Sequence, residues 1–234
     1  MKIAFSLLLC FFSLFTYAQP NVTEKTSSAE MQDKAEIAPT EDLMREHGVL
    51  NRLLLIYEEI IHRIDSGTPF PVAALERSTK IMQSFIENYH EKLEEEYIFP
   101  IFEKNKQQLQ LIKTLRNQHI KGRSVTNKIR TMLQHQQYIG PRHKRIIKNL
   151  LHSFIRMYRP HEAREDTVLF PQVRSLLSER EFKQLGELFE NREQKLFGPK
   201  GFEHVVQEVA AIEKDLGIYI LEQFTPKTMK PHAL

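Results

Sequence analysis

An eleven-residue phrase occurs twice in this chain. His90-Glu91-Lys92-Leu93-Glu94-Glu95-Glu96-Tyr97-Ile98-Phe99-Pro100 returns as His161-Glu162-Ala163-Arg164-Glu165-Asp166-Thr167-Val168-Leu169-Phe170-Pro171. The shared core is His-Glu-x-x-Glu-acid-x-x-aliphatic-Phe-Pro. An isolated His precedes each copy, His47 by 43 positions before His90 and His119 by 42 before His161. Helix positions i and i+4 face the same way, so His90 with Glu94, and His161 with Glu165, each make a two-donor face. Imidazole suits iron, zinc and copper, and carboxylate suits harder ions. A carboxylate also has two oxygens and can span two cations. Two half-sites, each with two His and one Glu, therefore predict one buried site for two metal ions. Bare Glu charges in a bundle interior are costly, and divalent ions would offset them. Taken singly, a lone His on an apolar stripe is more often a core residue, and His-x-x-x-Glu is common as a weak surface pair. The matched recurrence of all six donors carries the metal reading.

Four helices must bring these donors together. The first opens at Thr40 as N-cap, with Glu41 and Asp42 in its first turn, and Leu43, His47, Leu50, Leu54, Tyr57 and Ile61 share one stripe. Ser66-Gly67 ends it. The second runs from near Pro71 towards Asn105, with Phe85, Ile86, Leu93 and Tyr97 on the stripe of His90 and Glu94. The third runs from about Gln107 to Gln136, with Ile112, Leu115 and His119 on one face, and Gly140-Pro141 breaks it. The fourth runs from about Pro141 to Leu177, through Ile147, Leu151, Phe154 and Met157 to His161. Short connections favour antiparallel neighbours. Pro100, Pro160 and Pro171 fall inside helical patterns, where a Pro kinks or ends the helix. Two readings of Pro160 stay open, a kink before His161 or the first turn of a new helix. Ser178-Glu179-Arg180-Glu181 is a capping box that opens a fifth helix, closed by Gly198-Pro199, and a sixth amphipathic segment spans Phe202 to about Leu216. These last helices either flank the bundle or offer a face to a partner.

The four-helix pattern with this donor set resembles the hemerythrin-like, or HHE cation-binding, domains over about residues 40–177. The marks are His47, then His90 and Glu94 before Tyr97-Ile98-Phe99-Pro100, then His119, then His161 and Glu165 before Leu169-Phe170-Pro171. The resemblance implies an all-α, up-down antiparallel four-helix bundle holding a non-haem di-iron centre, two iron ions or other divalent metals. It implies terminal imidazoles from His47, His90, His119 and His161, and bridging carboxylates from Glu94 and Glu165. Open positions on such a centre invite O2, NO or peroxide. The alternative function is non-enzymatic metal binding for iron sensing, buffering or sequestration. The chain departs from the oxygen-carrying branch, which has a fifth His one turn along the third helix. Leu115 and Arg123 stand four residues from His119 here. That branch also ends its last motif with Asp five positions after His, which makes Asp166 a fallback ligand. The donor set looks more like the branch with nitrosative-stress repair proteins, but the Cys-containing N-terminal region of those proteins is missing.

The remaining sequence bounds the cell biology. Lys2, the apolar run from Ile3 to Phe15 and Thr16-Tyr17-Ala18 read as a signal peptide over residues 1–18, cleaved after Ala18. The run falls short of the ~20 residues of a membrane span, so an uncleaved anchor is the lesser reading. Export to the periplasm or medium follows, with no integral membrane segment in the mature chain. Cys10 is the only Cys, so cleavage leaves no disulfide, thiolate ligand or cysteine nucleophile. The net charge of +3 drops to +2 on loss of Lys2 and implies no dedicated nucleic-acid partner. Residues 19–39 read as a flexible linker, 178–224 as a C-terminal helical extension and 225–234 as a tail. Tyr89, Tyr97 and Tyr158 lie near ligands in sequence, as core packing or as outer hydrogen-bond partners. His135, Arg142, His143, Lys144, Arg145 and Lys148 form a basic cluster, read as a solvated bundle end. No Ser–His–Asp pattern, HExxH motif or phosphate-cradling Gly-rich loop is present.

Overall fold

The computed structural model describes residues 37–134 and 139–226, and among these there are helices and no strands. The expected signal peptide, most of the expected linker, His135 and most of the expected tail lie outside the described residues. Helix α1 is Pro39–Ser66. Its expected cap is corrected: Ala38 is the N-cap, Pro39 takes the first turn where its missing N–H costs nothing, and Thr40 is already helical. Pro39 is buried, so the linker ends before it. Gly67, at φ 70°, closes α1 in the left-handed conformation that a side chain would resist.

Helix α2 is one continuous run. Its α-helical parts, Val72–Ile81, Glu91–Leu93 and Phe99–Lys104, alternate with π-helical Met82–His90 and Glu94–Ile98. Helix α3 is Leu109–Gln134. Helix α4 is likewise continuous, Pro141–Arg164, a π turn over Glu165–Leu169, then Phe170–Leu176. Each ligand-phrase Glu opens a π turn, and each Phe-Pro follows its end. A Pro ring clashes with the carbonyl four residues back, and the wider π turn relieves that clash. Pro100 and Pro171 thus widen their helices locally instead of ending them. Pro160 starts no new helix; it lies exposed within the Pro141–Arg164 stretch.

Helices α1 to α4 close a ring of neighbours, α1 on α2, α2 on α3, α3 on α4 and α4 on α1, as an all-α up-down bundle. Its interior carries Leu43, Leu50, Leu54, Tyr57, Phe85, Ile86, Leu93, Ile112, Leu115, Ile147, Leu151 and Phe154, all essentially inaccessible. Two further helices follow, α5 over Glu179–Phe197 and α6 over Gly201–Leu216. The capping box at Ser178 and Glu181 is present in both directions. Of the two readings of this extension, the packing favours the flanking one. α6 buries Val205, Val209, Ile212 and Leu216 against α1 and α2, and Arg52 and Arg63 of α1 clamp it through Glu213 (2.9 Å) and the Leu216 carbonyl (2.6 Å). Among the described residues no helix is long and apolar enough to cross a membrane.

Candidate metal centre

All six sequence-predicted donors meet in the bundle interior, none more than 3% exposed. They come as two imidazole pairs. His47 Nε2 and His90 Nε2 are 3.0 Å apart, and His119 Nε2 and His161 Nε2 are 3.1 Å apart. Each carboxylate reaches one ring of each pair. Glu94 Oε2 lies 3.6 Å from His90 Nε2 and 3.5 Å from His119 Nε2. Glu165 Oε2 lies 3.1 Å from His161 Nε2 and 3.5 Å from His47 Nε2. Each carboxylate thus lies between the two imidazole pairs, and the cluster could hold a metal ion.

The outward nitrogens of the rings are all engaged. His47 Nδ1 meets Asp166 at 2.7 Å, His90 Nδ1 meets Glu46 at 2.6 Å, His119 Nδ1 meets Glu95 at 3.1 Å, and His161 Nδ1 meets Gln118 Oε1 at 2.9 Å. An N–H donated outward from Nδ1 leaves a neutral ring only a lone pair at Nε2. Such outer acceptors fix the tautomer and raise ligand basicity at metal sites. Asp166, the fallback ligand, meets the outward nitrogen of His47. It holds His47 from the rim and does not join the six inward donors. Phe170 stacks on His47 and Phe99 stacks on His119, both at 5.6 Å, so the Phe of each phrase fixes a ring of the other half.

The electrostatics describe a site built for cations. None of the four oxygens of Glu94 and Glu165 has a hydrogen-bond partner, although both side chains are fully buried. Burial, then the neighbouring Glu165 charge, pushes Glu94 well above the carboxylate range. Burial acts on Glu165 in the same sense, but His161, His47 and His119 outweigh it and hold Glu165 at about 2. Burial lowers His119 to about 4 and His90 further below its ordinary range, with His47 adding to the latter. Burial also works against charge on His47, but Asp166 reverses it and raises this ring. Close-set lone pairs and unpartnered carboxylate oxygens in one buried cluster call for positive charge between them, which a metal ion would supply.

Sequence reasoning missed several supporting residues. Glu46 and Gln118 each sit one position before an isolated His, and this dipeptide is the signal that could have found them. Glu95 belongs to the repeated phrase as the acid after Glu94. Arg123, where a fifth His would stand, pairs instead with Glu95 and, at 2.7 Å, with Glu91. Glu91 also accepts from the Tyr158 hydroxyl at 2.6 Å, and Asn51 donates to Glu162 at 3.1 Å. Of the tyrosines near the ligands, none bonds one of the six donors. Tyr97 faces Arg192, and the Tyr89 hydroxyl has no hydrogen bond. In the basic cluster, Lys148 pairs with Asp65 at 2.5 Å and Lys144 lies over the Phe70 ring.

Comparison with known proteins agrees with this geometry. The hemerythrin HHE cation-binding domain matches residues 38–173, the span of the bundle. Uncharacterized proteins of Mycobacterium bovis and of two Mycobacterium tuberculosis strains are each 43% identical over 195 residues, covering 83% of this chain and 76% of theirs. No solved structure gives a significant match.

Proposed function

This chain belongs to the hemerythrin HHE cation-binding domain family, and from that premise we propose that it is an exported protein that holds a non-haem di-iron centre and binds or reduces a small oxidant, O2, NO or peroxide. His47, His90, His119 and His161 would hold the metal through their imidazoles, and Glu94 and Glu165 through their carboxylates. One observation carries the reading. Four Nε2 atoms and four carboxylate oxygens without a hydrogen-bond partner converge in the bundle interior. When bound, ferrous iron with only six protein ligands for two ions would have room for a small oxidant and would supply electrons to it.

The chain's own residues shape what happens there. Asp166, Glu46, Glu95 and Gln118 orient the rings and make them better donors. Phe99 and Phe170 hold two rings in place and keep apolar surface beside the site. The Lys2, apolar-run and Thr16-Tyr17-Ala18 series supports export. The test is optical. Iron-reconstituted protein, reduced anaerobically, is expected to gain visible absorption on exposure to O2 or NO. Iron-bound protein whose spectrum ignores O2, NO and peroxide would overturn the oxidant role and leave metal buffering or sensing as its function.

A further inference from the structure

A second group of carboxylates lies where the bundle meets its C-terminal extension. Asp42 and Glu46 of α1 and Glu193 of α5 each bring a ligand atom to within 4.8 Å of the others. Glu46 is fully buried, and Asp42 and Glu193 are partly so. One Glu46 oxygen accepts from His90, and the other, also buried, has no partner. Tyr89 of α2 is fully buried and turns its hydroxyl towards the same three carboxylates without completing a hydrogen bond. Glu190 beside Asp42, and Glu203 beside Glu193, add negative charge. Against them stands Arg45, which pairs with Asp42 at 3.0 Å and lays its guanidinium over the Phe202 ring.

Full ionisation of the three carboxylates against one guanidinium would leave two negative charges in a partly buried junction. Water solvates them poorly there, and they repel one another. Burial, and then Glu46, raises Asp42 to about 6, and burial raises Glu193, which measures the cost of leaving the group uncompensated. A divalent cation cancels that charge, and the empty oxygen of Glu46 and the idle Tyr89 hydroxyl are the polar atoms it would satisfy.

We propose that Asp42, Glu46 and Glu193 form a third divalent-cation site, of the all-oxygen type that takes hard ions such as Mn2+ or Mg2+. The site requires the extension, because Glu193 lies beyond residue 173, where the family match ends. Glu46 ties it to the central pair, with one oxygen on His90 and the other free for the new ion.

The probe is Mn2+, by equilibrium dialysis of the full chain with and without prior iron loading. The variants are Glu193→Gln and Asp42→Asn. Glu193→Gln keeps an oxygen to accept the Phe202 N–H, now bonded at 2.8 Å, and melting curves check that the extension stays folded. Wild type is expected to hold about one Mn2+ per chain that each variant loses or binds more weakly, by at least the roughly tenfold that loss of a supporting contact costs at metal sites. Equal Mn2+ binding by wild type and both variants would overturn the proposal. Metal that persists in the variants reports the central pair, so its absence would count against the di-iron reading and leave this site separately decidable.

Discussion

The Nε2 atoms of His47 and His90 lie 3.0 Å apart, although the Nδ1 atom of each ring already faces a carboxylate. Two neutral rings so placed point lone pairs at each other. Without metal, a proton on His47 relieves the contact, in keeping with the raised affinity that Asp166 gives this ring. A metal ion beside each imidazole pair would do the same and would also answer Glu94 and Glu165.

Removing an outer acceptor should weaken the centre without touching a ligand. Asp166→Asn is expected to lower metal affinity by roughly 10- to 100-fold, the usual effect of losing such a partner. Gln118→Glu is expected to strengthen binding, because it gives His161 a carboxyl acceptor like those of the other three rings. A chelator-competition titration measures both. Unchanged affinity in Asp166→Asn would show that His47 needs no support from the rim.

The six donors were legible because the chain repeats itself. A duplicated His-Glu-x-x-Glu phrase with matched upstream His residues places every donor by helical spacing alone. The outer acceptors were harder to read. Glu46 and Gln118 stand one position before their neighbouring His, off its i, i+4 series, so periodicity does not flag them. The π turns that begin at Glu94 and Glu165 were invisible for a different reason: i and i+4 positions share a face in either helix type. Thr40 misled as a cap because Pro39, one residue earlier, is preorganised for the first helical turn.

Metal and stability should be coupled. Metal-free protein is expected to melt lower than iron-loaded protein, since a ligand at a hundredfold excess over its dissociation constant favours the folded state by about 2.7 kcal/mol. In the double variant Glu94→Gln, Glu165→Gln the gap should shrink, because neutral amides need no counter-ion. Calorimetry on both proteins, anaerobic and at fixed pH, decides it. A wild type that melts identically with and without metal would show that no buried charge awaits compensation.

Glu46 gives the metal-free protein a pH dependence. Burial raises its carboxyl from 4.5 to about 8, so the folded state keeps a proton that the unfolded chain releases. Its stabilising share is complete below pH 4.5 and is lost as the pH rises through 8, at about 1.4 kcal/mol per pH unit for one proton. Metal-free wild type is expected to lose melting temperature between pH 5 and pH 8, and Glu46→Gln to lose less. Parallel slopes for the two proteins would contradict the assignment.

Two glycines should respond oppositely to Ala. A Cβ on Gly122 would meet the buried Tyr158 hydroxyl at 2.0 Å, displacing the phenol that donates to Glu91. Gly122→Ala is expected to destabilise by about 1–3 kcal/mol, the cost of overpacking a filled core. A Cβ on Gly48 meets nothing within 4 Å, so Gly48→Ala in α1 should stabilise by roughly 0.5–1 kcal/mol. Denaturant titrations of both variants give the comparison.

The most direct measurement is the metal content of iron-reconstituted protein. Wild type should hold two iron ions per chain at the central pair, and His90→Ala and Glu165→Ala should each hold clearly fewer, with circular dichroism confirming that the helices remain. Wild type that takes up no iron, or variants that bind as much as wild type, would contradict a dinuclear centre built on His47, His90, Glu94, His119, His161 and Glu165.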